Sequence, residues 1–164
     1  MPERKPRRPL NLALQGGGSH GAFTWGVLDA LLEDGQFDLD GISGTSAGAM
    51  NAVALAHGFA LAASQNKERE EIHASGCALA RETLRKLWEG VGALGALMWG
   101  APLQGNPLTS LMTQWFSPYQ TNPLDINPLR GLLRDTVDFE LLAHEAVHVP
   151  KVFVCATNVR TGRG

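Results

Sequence analysis

Tyrosine occurs once and cysteine twice in the 164 residues, and neither acid nor base dominates. Fourteen Lys and Arg face 16 Asp and Glu, a formal net charge of −2 with a pI of about 6.2. Without a global positive field nothing holds a phosphate backbone, so no nucleic-acid partner is expected. Cys77 and Cys155 lie far apart and match no zinc or redox spacing, so reduced thiols are expected. No run reaches the ~20 apolar residues of a membrane span. No apolar stretch of signal-peptide length follows the N-terminus, and the expected location is the cytoplasm. The apolar share of 44% and charged share of 18% exclude disordered, collagen-like and coiled-coil chains and suit one globular domain. Glycine, by contrast, is plentiful: 19 residues, several of them in two short clusters.

Residues 1–9 carry Arg4, Lys5, Arg7 and Arg8 against the single acid Glu3, punctuated by Pro2, Pro6 and Pro9. This composition reads as a basic, flexible N-terminal arm. Peripheral contact with an anionic lipid surface is the interaction it offers.

From Leu10 the chain alternates structural signals. Leu10–Leu14 has strand period, and a helical pattern runs from Ala22, with Trp25, Leu28 and Leu32 on one face and Val27 and Leu31 on its flank. Asp38–Ser43, centred on Ile42, reads as a second strand. Ala49–Ala63 is so apolar all round, with only Asn51 and His57 clearly polar, that it should be a buried helix. The charged stretch Ser64–Ser75 reads as an exposed helix end or loop. Leu84, Leu87, Trp88 and Val91 then mark an amphipathic helix, and Val91–Leu103 a loosely helical loop packed on the core. Asn106-Pro107 and Asn127-Pro128 each resemble a helix start with Asn as cap, the second turning Leu129, Leu132 and Leu133 inward. Lys151–Ala156 is a β-rich run. Strands alternating with helices predict an α/β domain with a mainly parallel sheet.

Both glycine clusters fall at strand-to-helix junctions. In Gln15-Gly16-Gly17-Gly18-Ser19-His20-Gly21 the backbone can turn sharply and bare its N–H groups toward an anion, helped by the helix N-terminus behind it. Gly16, Gly18 and Gly21 also satisfy the spacing of a dinucleotide-binding loop, with Asp38 or Asp40 as ribose ligand, although these acids precede the second strand instead of ending it. No Gly-Lys-Ser/Thr follows, which excludes a P-loop. Gly44-Thr45-Ser46-Ala47-Gly48 is a G-x-S-x-G elbow, in which a tight turn projects a serine hydroxyl and small neighbours avoid collision. A dinucleotide site uses only the first turn. An acyl-transfer site uses both, with Ser46 as nucleophile and the first turn donating to the oxyanion.

These two motifs, the second extended through Ala49-Met50-Asn51, resemble those of the patatin-like phospholipase family. The similarity continues through the Trp88 helix, Asn127-Pro128-Leu129 and Val152–Gly162, covering residues 10–164 as the N-terminal part of a single domain. The resemblance implies a three-layer α/β/α sandwich and hydrolysis of acyl esters in phospholipid or other lipids. It implies Ser46 as catalytic nucleophile, Gly16, Gly17 and Gly18 as oxyanion hole, Gly21, Gly44 and Gly48 as motif glycines, and a serine–aspartate dyad without cofactor or metal.

Two departures stand out. His20 occupies a position where the family usually has Arg or Lys, and a loop-bracing role suits it as well as a catalytic one. The family's aspartate precedes glycine, whereas Asp125, Asp135 and Asp138, the aspartates after Ser46, do not. The expectation is therefore a C-terminally truncated domain, impaired on its own, whose dyad aspartate lies beyond residue 164. A Ser…Asp…His triad would have to draw on Asp135 or Asp138 and His144 or His148. The alternatives are a non-catalytic lipid- or anion-binding remnant and, less favoured, a dinucleotide-binding domain.

Overall fold

A computed structural model of the chain describes residues 6–65, 68–98, 127–144, 149–158 and 160–162. Its sheet contains β1 (Arg8–Leu14), β2 (Phe37–Thr45) and β3 (Lys151–Cys155), all parallel and in the order β1-β2-β3. Leu12 is paired with Ile42 and Ile42 with Val152, so an apolar row crosses the sheet. This row packs against the helical core cluster that contains Leu28, Leu55, Leu84 and Leu87. The alternation of strand residues thus decides which face the helices cover. The expected α/β class and parallel sheet are what the chain forms.

β1 begins at Arg8, two residues before the Leu10 start suggested by the apolar pattern. Arg7, just outside it, donates to Asp38 on β2 at 2.7 Å and to Glu70 at 2.6 and 2.9 Å. The expected flexible arm is corrected for its described end: Arg7 is tied down by ion pairs, and Arg8 and Pro9 belong to β1, at the end of the sheet away from the glycine turns.

Helix α1 (Gly21–Asp34) buries Leu28 and Leu32 and stops at Gly35, whose φ of 63° places it in the left-handed cap conformation. Helix α2 (Ala47–Gln65) is long and apolar enough to cross a membrane by those measures alone, which the sequence reading of apolar runs did not anticipate. Most of it is buried inside the protein, as its all-round apolar composition predicts for a core helix.

Helix α3 (Arg69–Met98) is a continuous 30-residue element. Of the stretch Ser64–Ser75, read as an exposed helix end or loop, Ser64 and Gln65 are the exposed end of α2, and the loop alternative is corrected from Arg69 onward, where α3 opens. Ile72, His73 and Cys77 are buried at helical spacing beneath the exposed charges, and Glu70 and Glu71 favour the positive end of the helix. The expected loop from Val91 is likewise helical as far as Met98.

Helix α4 (Pro128–Thr136) starts as its Asn-Pro pair predicts, the Asn127 side chain accepting from the Arg130 N–H at 3.1 Å. Leu132 and Leu133 pack on the core, but Leu129 is 38% exposed and does not face inward. Helix α5 (Phe139–His144) is capped by Asp138, whose carboxylate accepts from the Glu140 and Leu141 N–H groups at 3.0 Å. The Asn106-Pro107 helix start lies outside the described residues.

Candidate active site

The two glycine turns leave the same end of the sheet from adjacent parallel strands, because Leu14 and Gly44 are register partners. Crevices at this end are where open α/β sheets bind ligands. Gly16 lies against the elbow: a Cβ built there would stand 3.1 Å from the Ser46 Cβ and 2.9 Å from the Thr45 carbonyl oxygen. A Cβ on Gly44 would meet the Gly48 carbonyl carbon at 2.5 Å, and one on Gly48 would run into the Leu14 carbonyl. The small residues flanking the serine are thus required by backbone crossing backbone.

Ser46 has a φ of 53°. Among the described residues it is the one non-glycine with positive φ, a conformation that costs a side-chain-bearing residue about 1–3 kcal/mol. Its carbonyl accepts the first bond of α2, from the Met50 N–H at 3.1 Å, and the residue is exposed at the helix N-terminus. The elbow therefore presents the hydroxyl where developing negative charge is favoured.

In the first turn, Gly18–His20 form one turn of 3₁₀ helix, and the φ of 58° at Gly18 suits glycine. The hydrogen bonds of this turn use the Gly17 and Gly18 carbonyls, and among the described residues none uses the Gly17 or Gly18 N–H. His20 Nδ1 lies 3.1 Å from the Gly17 carbonyl and donates to it, which identifies the exposed ring as a brace for the turn. With that carbonyl tied back, the glycine N–H groups are free to meet an oxyanion.

Beneath the turns lies a contact that no local sequence pattern signals. Asn51 on α2 is fully buried. Its amide donates to the Gly21 carbonyl at 3.0 Å, and its oxygen accepts from the Trp88 indole N–H at 2.7 Å.

The described aspartates stand elsewhere. Asp29 is bound by Arg81 at 2.8 and 3.1 Å. Asp38 is held by Arg7 and Arg69 near the start of β2, at the opposite end from the glycine turns, and Asp40 lies two residues on. Neither can be the ribose ligand of a dinucleotide in the first turn. Asp135 and Asp138 line a cleft with His57. His57 lies three turns along α2 from Ser46, about 16 Å at 1.5 Å per residue. The conceivable triad therefore does not assemble: its aspartates sit beside His57, His144 ends α5, and His148 lies outside the described residues.

At the far end of the sheet, Cys77 Sγ lies 4.0 Å from His73, whose Nε2–H donates to the Phe37 carbonyl at 2.9 Å. Burial pushes the Cys77 thiol up to about 11, so it stays protonated and is no rival nucleophile. No group of three or more metal-ligating side chains occurs among the described residues.

The family model described as Patatin-like phospholipase matches residues 12–162. Comparison with curated proteins and with solved structures finds no match.

Proposed function

The chain belongs to the patatin-like phospholipase family, and on that premise we propose that it is a lipid acyl hydrolase with Ser46 as nucleophile. The observation that carries the reading is the strained, exposed Ser46 held against Gly16 of the neighbouring turn. In the proposed reaction the Ser46 hydroxyl attacks the ester carbonyl carbon, and its proton passes to a carboxylate. Negative charge gathers on the carbonyl oxygen, where N–H groups of Gly16, Gly17 and Gly18 receive it. Each such donor is worth roughly 2.7–4 kcal/mol of barrier. The carboxyl group returns that proton to the departing oxygen, which leaves as the alcohol. Water then gives a proton to the same carboxylate as it attacks the acyl carbon, and the proton passes to the Ser46 oxygen as the free acid is released.

We assign the proton acceptor to an aspartate outside the described residues, since those with known partners are engaged elsewhere. Until such a carboxylate is seated, Ser46 works with the oxyanion turn and positioning alone. In serine hydrolases stripped of their base that leaves about 10³–10⁴-fold over water. Phospholipid and related lipid esters are the proposed substrates, met at a membrane surface by a cytoplasmic protein whose two cysteines are free thiols.

Replacing Ser46 with Ala tests the reading. Hydrolysis of p-nitrophenyl and phospholipid esters should vanish, while the circular dichroism spectrum stays unchanged. Ester turnover that survives the substitution would show that the nucleophile lies elsewhere. A variant that still binds lipid vesicles as tightly as a wild type devoid of turnover would favour the non-catalytic binding module instead.

A further inference from the structure

We propose that Asn51 and Trp88 are positioning residues that hold the oxyanion turn at its working distance from Ser46; the proposal rests on Ser46 being the nucleophile. Three elements meet at this point. Trp88 on α3 donates to Asn51 on α2, and Asn51 donates to the carbonyl of Gly21, where the oxyanion turn becomes α1. Gly21 is pressed into the same junction. A Cβ there would stand 2.6 Å from the Trp88 ring and 2.8 Å from the Cβ of Ala47, the residue after Ser46. Asn51 is five residues beyond Ser46 on the helix that the nucleophile opens, so the bonded chain ties both turns to one rigid element.

Packing alone does not account for this arrangement. A wholly buried amide is costly unless fully bonded, and an apolar side chain would fill the volume without that demand. What the amide adds is a fixed length. Apolar surfaces slide past one another by fractions of an ångström with little penalty, whereas a hydrogen bond weakens steeply outside a narrow range of distance and angle. Oxyanion stabilisation has the same narrow tolerance, and a misplacement of about 1 Å costs on the order of 10²-fold in rate. The Asn51–Trp88 chain supplies the constraint where the reaction needs it.

The test compares wild type with Asn51→Asp, Trp88→Phe and Ser46→Ala in the full chain. In Asn51→Asp the introduced carboxylate still accepts from Trp88 but has no hydrogen for the Gly21 carbonyl. Trp88→Phe keeps an aromatic ring but removes the donor, and serves if Asn51→Asp does not fold. Amide hydrogen exchange of residues 16–24 should quicken several-fold in both variants while the centres of α2 and α3 stay protected. Turnover counted per site labelled by a fluorophosphonate should fall by about 10²-fold with KM little changed, because the lost interaction belongs to the transition state. Lowering the pH should return part of kcat to Asn51→Asp, since a neutral carboxyl regains a donor.

Unchanged exchange in residues 16–24 would overturn the proposal, whatever the turnover. So would a loss of activity explained wholly by fewer folded molecules, with kcat per labelled site unaltered. Ser46→Ala keeps the two readings apart. If turnover survives in that variant the nucleophile assignment fails, and with it the catalytic meaning of the Asn51–Trp88 contact. If it is lost there while the Asn51 and Trp88 variants keep full kcat, only the positioning role fails.

Discussion

Strain at Ser46 is tolerated because its surroundings leave the chain no cheaper path: Gly44 and Gly48 are locked against neighbouring backbone, and α2 must start at once. His57, farther along the same helix, presents a different imbalance. It is 6% exposed, and among the described residues neither ring nitrogen has a hydrogen-bond partner. Burial pushes its pKa below the ordinary 6.5, with Asp138 pulling weakly the other way. An unfolded imidazole takes a proton near 6.5 while the buried one resists, so acid favours the unfolded chain. The contribution is nil above that pH, and stability declines as pH falls through 6.5 until the folded imidazole also protonates. His57→Leu should remove this portion of the acid slope and add about 1–3 kcal/mol at neutral pH, the penalty of an unpaired buried polar group. Urea unfolding at pH 7.5 and 5.5 reads both effects. An unaltered difference between the two pH values would show that His57 does not titrate with folding.

The seam between α2 and α3 shows how small residues set the spacing of elements. A Cβ on Gly58 would strike the backbone of Ala80, and one on Gly76 would meet the Phe59 ring at 2.5 Å. For Gly58→Ala, helix propensity favours alanine by about 1 kcal/mol, whereas forcing the helices apart costs about 1–3 kcal/mol or more. The obstruction is main chain and cannot swing aside, so the substitution should lower the melting temperature. Gly92→Ala on α3 meets nothing within 4 Å and should raise it, by up to about 1 kcal/mol of stability. A rise in both variants would mean the seam is looser than this close approach implies. The same chemistry explains what the sequence disclosed. β1, α1, β2 and α2 were legible because apolar period and glycine punctuation coincide there, and Ser46 and its glycines because a tight turn demands those residue types. The first part of α3 was hidden, since Gly76, Cys77 and Ala80 form a buried face too small to register as an apolar stripe beneath Arg69, Glu70 and Glu71. Its last turns were hidden by Gly92 and Gly95, which argue locally against a helix. The Asn51–Trp88 bond spans 37 positions and has no periodic signature. Its one trace is a lone asparagine in an apolar helix, which burial obliges to find partners.

At the scale of the whole molecule, the described sheet leaves β1 and β3 as its edges. On β3, Phe153 and Val154 are 58% and 57% exposed, and on α1 Phe23 is 79% exposed. Parallel strands are ordinarily covered on both faces, and an open apolar edge is a template for pairing with another chain. Residues 1–164 should therefore self-associate in a concentration-dependent way. Phe153 is the position from which to test this, because its large ring is 58% exposed on this edge strand and only skirts Gly41 beside the Asn11 side chain. Phe153→Lys would put a second positive charge beside Lys151 on the edge strand, the device by which natural edges resist pairing. Burial of one Phe is worth roughly 1.5–3 kcal/mol, so association through this edge should weaken about 10- to 100-fold. The core cluster does not include Phe153, and the unfolding midpoint at low concentration should stay close to that of the wild type. Sedimentation velocity across a dilution series measures the first quantity, and thermal unfolding at the lowest concentration the second. A wild type that stays monomeric throughout, or a variant that associates as strongly as its parent, would rule out this edge as the contact surface.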